Sequence, residues 1–105
     1  GNRLVIGNLW ESMDLPRAPE GFCTDVMEHI PPEHVDAVIE NIMGLCDRAF
    51  FHICFVEDHF GEELGESLHL TVKPFTWWLD KLSEYGTVID GRDLINNGWF
   101  YVTRN

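Results

Sequence analysis

Glu28 and His29, adjacent in the chain, are the strongest pointer to chemistry in this sequence. A carboxylate beside an imidazole that titrates near neutrality can take a proton from a hydroxyl or an amine. Asp25 adds a second carboxylate three residues earlier. Each has a plainer alternative: Asp25 as a turn or capping residue ahead of Ile30 and Pro31, and Glu28 and His29 as solvated residues before a helix. Glu33 and His34 follow and raise the question of a metal. The spacing does not place two histidines at i and i+4 around a glutamate, and Pro31 and Pro32 intervene, so no metal is expected.

The remaining histidines are scattered. His52 alternates with apolar neighbours and reads as a satisfied core histidine. His59 lies in the acidic run 57–67, which reads as a solvated loop. His69 stands just ahead of the Trp77-Trp78 pair. Neighbouring helix residues point about 100° apart, so Trp78 is expected in the core with Leu82 and Trp77 partly exposed. An exposed Trp77 can face a substrate or partner, or simply pack. Cys23, Cys46 and Cys54 sit in apolar contexts without a CxxC pair and read as small buried hydrophobes of a reducing compartment, hence a cytoplasmic setting. No serine occupies a G-x-S-x-G turn, and no cysteine has an evident activating histidine.

These residues must be held by a small number of elements. Residues 3–10 read as a short strand leaving through the Pro-containing stretch 14–21, and residues 21–25 as a second. Pro31, Pro32 and Glu33 open a helix whose apolar stripe is Val35, Val38, Ile39, Ile42 and Leu45. The run 50–56 is almost wholly apolar, which suits a strand covered on both faces of a parallel sheet. Residues 68–72 form a short strand or an extended loop. Residues 74–85 form a second helix with Trp78, Leu79, Leu82 and Tyr85 on its apolar face and Gly86 as its stop. Residues 87–90 and 99–102 read as strands, and Asn96-Asn97-Gly98 signals the tight turn of an antiparallel pair. Strands alternating with helices predict an α/β fold: a mixed sheet of about four to five strands, two main helices and a C-terminal antiparallel hairpin, in one domain over residues 1–105.

Composition narrows the function. Apolar residues make up 45% and charged residues 24% of the 105, ordinary globular values that support a packed fold. A net charge of −11 disfavours nucleic acid and anionic membrane surfaces as partners. No apolar run approaches the ~18 residues of a membrane span. The chain opens on Gly1 without a methionine, which fits a cleaved tag or a gene that begins upstream.

The segment Cys23-Thr-Asp-Val-Met-Glu-His-Ile-Pro-Pro-Glu33, with the order of elements around it, resembles the fourth-strand motif of class I S-adenosylmethionine-dependent methyltransferases. The resemblance runs over roughly residues 3–102 and implies a truncated Rossmann-like methyltransferase fold. On it, the run 50–56 corresponds to the family's fifth strand and the closing hairpin to its sixth and seventh. It also implies that Asp25 faces cofactor and methyl-transfer site, that Glu28 and His29 are the catalytic pair, and that His69 and Trp77 lie on the substrate side. The family's Gly-rich turn after its first strand has no counterpart here: the sequence contains no G-x-G-x-x-G. The resemblance is therefore to the C-terminal half, and the chain alone is not expected to bind S-adenosylmethionine. In the complete fold the first strand lies beside the fourth, so its absence implies an exposed strand edge. Two functions follow. The chain is the substrate-side half of a methyltransferase, inactive until a cofactor-binding half completes it. Alternatively, it is a non-catalytic binding or scaffold module that covers the edge by homodimerisation.

Overall fold

The computed structural model describes residues 18–24, 26–56 and 69–105. Among them the sheet has four strands in the order β1-β2-β4-β3: β1 (Ala18–Thr24), β2 (Cys46–Cys54), β3 (Thr87–Asp93) and β4 (Asn97–Thr103). β1 and β2 run parallel; β4 is antiparallel to both β2 and β3. Among the described residues two helices join them, α1 (Val35–Leu45) between β1 and β2, and α2 (Phe75–Ser83) before β3. This is the expected mixed α/β sheet with a closing hairpin. Among the described residues, no helix is long and apolar enough to cross a membrane.

Both helices pack into one cluster. The predicted α1 stripe is buried throughout, from Val35 to Leu45, and Val35, Val38, Ile39 and Ile42 join Ala49, Phe51, Ile53, Phe100 and Val102 of the sheet and Trp78 and Leu82 of α2 in one core. Asp36 ties the helices at their solvent side. It accepts hydrogen bonds from Lys81 Nζ at 3.1 Å and the Tyr85 hydroxyl at 2.7 Å. The Tyr85 hydrogen bond, ahead of the Lys81 ammonium, holds the Asp36 carboxyl below its usual range against the opposing effect of burial. The same hydrogen bond pushes the Tyr85 phenol up to about 12.

The opposite sheet face differs from expectation. Among the described residues β2 is covered on one side: Ala49, Phe51 and Ile53 are buried, whereas Phe50, His52 and Cys54 are half-buried. Side chains alternate along a strand, and α1 and α2 share one face. The register builds cross-strand rows on the other, Glu20–Arg48–Thr103, Phe22–Phe50–Tyr101 and Thr24–His52–Trp99. His52 is accordingly satisfied but not a core residue: its Nε2 is 3.0 Å from Asn97 Oδ1. Cys23 and Cys46 are buried as expected, and Cys54 is not.

Element boundaries shift in three places. β1 begins at Ala18, inside the stretch 14–21 taken as an exit loop. Proline in a strand is tolerated where no ladder needs its N–H, and β1 pairs on one side only among the described residues, which accommodates Pro19. β2 begins at Cys46, directly after α1, with no intervening loop. The hairpin turn falls at residues 94–96 instead of 96–98, with Ile95 at φ 77°. Gly98 is inside β4, where a Cβ would sit 2.7 Å from Arg92 O and 2.8 Å from Phe55 Cζ. Glycine is thus required there by close approach, not by the turn. Gly86 is similar: its Cβ would lie 2.6 Å from Thr103 O. Residues 3–10, His59 and the acidic run fall outside the described residues.

Candidate functional site at the carboxyl end of β1

The chain leaving β1 folds into a short 3-10 turn, Met27–His29, whose Met27 anchors in the core while His29 faces solvent. Glu28 is only 1% exposed, so its carboxylate lies inside the protein wall. A second 3-10 turn, Pro32–His34, leads into α1. The prolines suit this entry, since proline needs no N–H partner in the first turn.

A distant segment completes the site. Leu70 N and Thr71 N both donate to Glu28 O, at 2.8 and 3.1 Å. The buried Thr71 hydroxyl donates to Ile30 O at 2.6 Å. Residues 69–71 are therefore an extended loop fastened to the turn, not a strand. His69 is itself oriented by the chain leaving β2: its Nδ1 lies 2.7 Å from Val56 O. A carbonyl only accepts, so Nδ1–H is the donor, and the neutral ring in this tautomer presents its lone pair at Nε2. His29 and His69 meet edge to face, with ring centroids 4.9 Å apart. One ligand-competent atom from each of Glu28, His29 and His69 lies within 4.8 Å of the others.

The structure thus joins three of the residues singled out in the sequence, at the carboxyl ends of two parallel strands, where open α/β sheets bind ligands. Asp25 lies outside the described residues. Trp77 belongs to a different group. Its ring is T-shaped against Trp78, with Lys73 Nζ and Lys81 Nζ at 5.7 and 5.4 Å from its centroid, on the flank of α2. Trp77 is half-buried and Trp78 fully buried, as expected from the wheel. Glu33 is exposed and His34 half-buried, and neither belongs to the Glu28–His29–His69 group. Sequence spacing missed Thr71. A lone threonine carries no pattern, and its role comes from the hydrogen bond that docks its segment. Beside the group, Cys23 is pushed up to about 12 by burial, and secondarily by the Glu28 charge, which keeps it a thiol.

No family model matches the sequence, and no curated protein matches it in sequence. Solved structures do match in fold. An O-methyltransferase family protein from Burkholderia thailandensis aligns with TM-score 0.71 at 12% identity, over 94% of this chain and 34% of its own. Magnesium protoporphyrin IX methyltransferase from Synechocystis PCC 6803, solved with bound S-adenosylhomocysteine, aligns with TM-score 0.65 at 14% identity, over 94% of this chain and 49% of its own. The neocarzinostatin-biosynthesis O-methyltransferase NcsB1, solved with S-adenosyl-L-homocysteine and 1,4-dihydroxy-2-naphthoic acid, gives TM-score 0.65 at 10% identity, over 96% and 33%. The chain spans about a third to a half of the length of these proteins, and its fold matches that part of these methyltransferases.

Proposed function

We propose that this chain is the substrate-facing half of an S-adenosylmethionine-dependent methyltransferase, one domain over residues 1–105, and that a Gly-rich cofactor-binding half completes it. The observation that carries the reading is the Glu28–His29–His69 group at the carboxyl end of β1, in a sheet ordered β1-β2-β4-β3 with parallel β1 and β2. In this role the pair Glu28 and His29 accepts the proton of an acceptor hydroxyl or amine, and His69 lines the acceptor side. Asp25 is assigned to the cofactor and methyl-transfer side by the motif alone. Trp77, on the flank of α2, fits a packing role better than the substrate contact expected from sequence. The buried thiols Cys23 and Cys46 accord with a cytoplasmic setting.

The edge of β1 away from β2 has no partner among the described residues, and neither does the aromatic face. This supports completion through that edge, by a cofactor-binding half or by a second copy of the chain. Calorimetry of the isolated chain with S-adenosylmethionine tests the reading. No heat of binding at micromolar cofactor is expected; saturable micromolar binding would show that the chain holds the cofactor by itself. Sedimentation tests the second point, with a dimer expected and a monodisperse monomer counting against pairing between copies.

A further inference from the structure

The geometry points to a divalent-cation site formed by Glu28, His29 and His69, taking a first-row transition ion such as zinc. Two imidazoles and one carboxylate are a donor set suited to such ions, which prefer nitrogen ligands more than magnesium or calcium do. The three residues lie on two segments 40 positions apart, so the juxtaposition is a product of the fold.

Two features separate this group from a chance meeting of polar side chains. The first is orientation. Metal-bound histidines almost always donate their second ring N–H to a carbonyl or carboxylate, fixing the tautomer and raising the basicity of the ligand nitrogen. His69 already has that arrangement through Val56 O, which leaves Nε2 as the nitrogen that would bind the ion. The second is rigidity. The 69–71 segment is held to the Met27–His29 turn by the Leu70, Thr71 N–H and Thr71 hydroxyl bonds, so little ordering remains to be done on binding.

Distance and charge agree with this. Ligands about 2.0–2.1 Å from a tetrahedral zinc stand roughly 3.3 Å apart. The present limit of 4.8 Å therefore asks for a contraction of at most about 1.5 Å, within the reach of small side-chain rotations. A carboxylate that is 1% exposed gains from a cation beside it. Three protein ligands leave coordination positions open, the pattern of a site that acts on something. With the ion bound, Glu28 and His29 serve as ligands instead of as the proton acceptor, and an acceptor hydroxyl at an open position becomes easier to deprotonate through the ion itself. The site does not depend on the methyltransferase reading, because it needs no cofactor and no second half.

The test is zinc titration of the full chain by calorimetry, with cobalt substitution read by visible absorption. One zinc per chain at micromolar Kd or tighter is expected, together with a cobalt spectrum lacking thiolate charge-transfer bands. His29→Ala removes an exposed side chain and preserves the fold, and it is expected to weaken zinc binding at least tenfold. His69→Ala should do the same, while His34→Ala, outside the group, leaves affinity unchanged. Absence of stoichiometric zinc binding overturns the proposal. So does a folded His29→Ala variant with wild-type affinity, or a cobalt spectrum dominated by thiolate.

Discussion

The two faces of the sheet are built from the same strands and have opposite characters. On one, Phe51, Ile53, Phe100 and Val102 are fully buried under α1 and α2. On the other, Phe22, Phe50, Trp99 and Tyr101 form a ring-lined surface in which Phe22 is 42% exposed. Phe50 stacks on Trp99 at 5.8 Å, and Glu20 bridges Arg48 at 3.4 Å and the Tyr101 hydroxyl at 3.2 Å. Aromatic residues with polar tips suit a surface that is partly wet and partly apolar. The difference teaches that the hydrophobic pattern of β2 is written for two covers, of which the described residues supply one.

Substitutions at successive residues of β2 give the largest contrast. Phe51→Ala empties a filled site and is expected to cost about 3–5 kcal/mol in urea unfolding. Phe50→Ala loses mainly a stacking contact and should cost about 1 kcal/mol. If the two costs prove equal, the aromatic face is covered in solution, and the contrast between faces disappears.

The helix-to-helix tie on the covered side is expected to matter less. Asp36→Asn removes a half-exposed, solvent-screened pair and should cost about 0.5–1 kcal/mol at neutral pH. Because the folded carboxyl is held below its ordinary 3.8, its contribution is present above that value and fades as pH falls through the folded one. The variant's loss of stability should therefore shrink in unfolding measured near pH 3. A loss that stays constant with pH would mean that the charge plays no part.

The smallest effect is expected at the hairpin tip. Ile95 holds φ 77° while 85% exposed, so it carries backbone strain without packing in return. Ile95→Asn should stabilise by about 0.5–1 kcal/mol, since asparagine tolerates the left-handed region. A lower thermal midpoint would show that Ile95 makes a contact on the open side.

Local patterns were the legible part of this molecule. The α1 stripe, the Trp78 face of α2 and the closing hairpin follow from periodicities that one segment carries by itself. Boundaries were less legible where a residue has two uses. Gly98 reads as turn chemistry but serves close packing against Phe55, and the turn moved to Ile95, which no turn rule favours. Pro19 reads as a break but sits in a strand paired on one side among the described residues. Glu28 and His29 were visible as a pair because they are adjacent. Their meeting with His69 was not, because it depends on backbone hydrogen bonds between segments with no shared pattern. The spacing argument against a metal considered Glu33 and His34, which the turn carries elsewhere.

The bond from His69 to Val56 has a consequence for how this protein can change. It brings together the two ends of the intervening residues 57–68 at a single point beside Glu28 and His29. A span whose ends are already joined can be lengthened or shortened at small entropic cost, about 0.6 kcal/mol per doubling. The three side chains need not move when that happens. The length of chain between Val56 and His69 can thus be rewritten by insertion and deletion while the group itself is inherited intact.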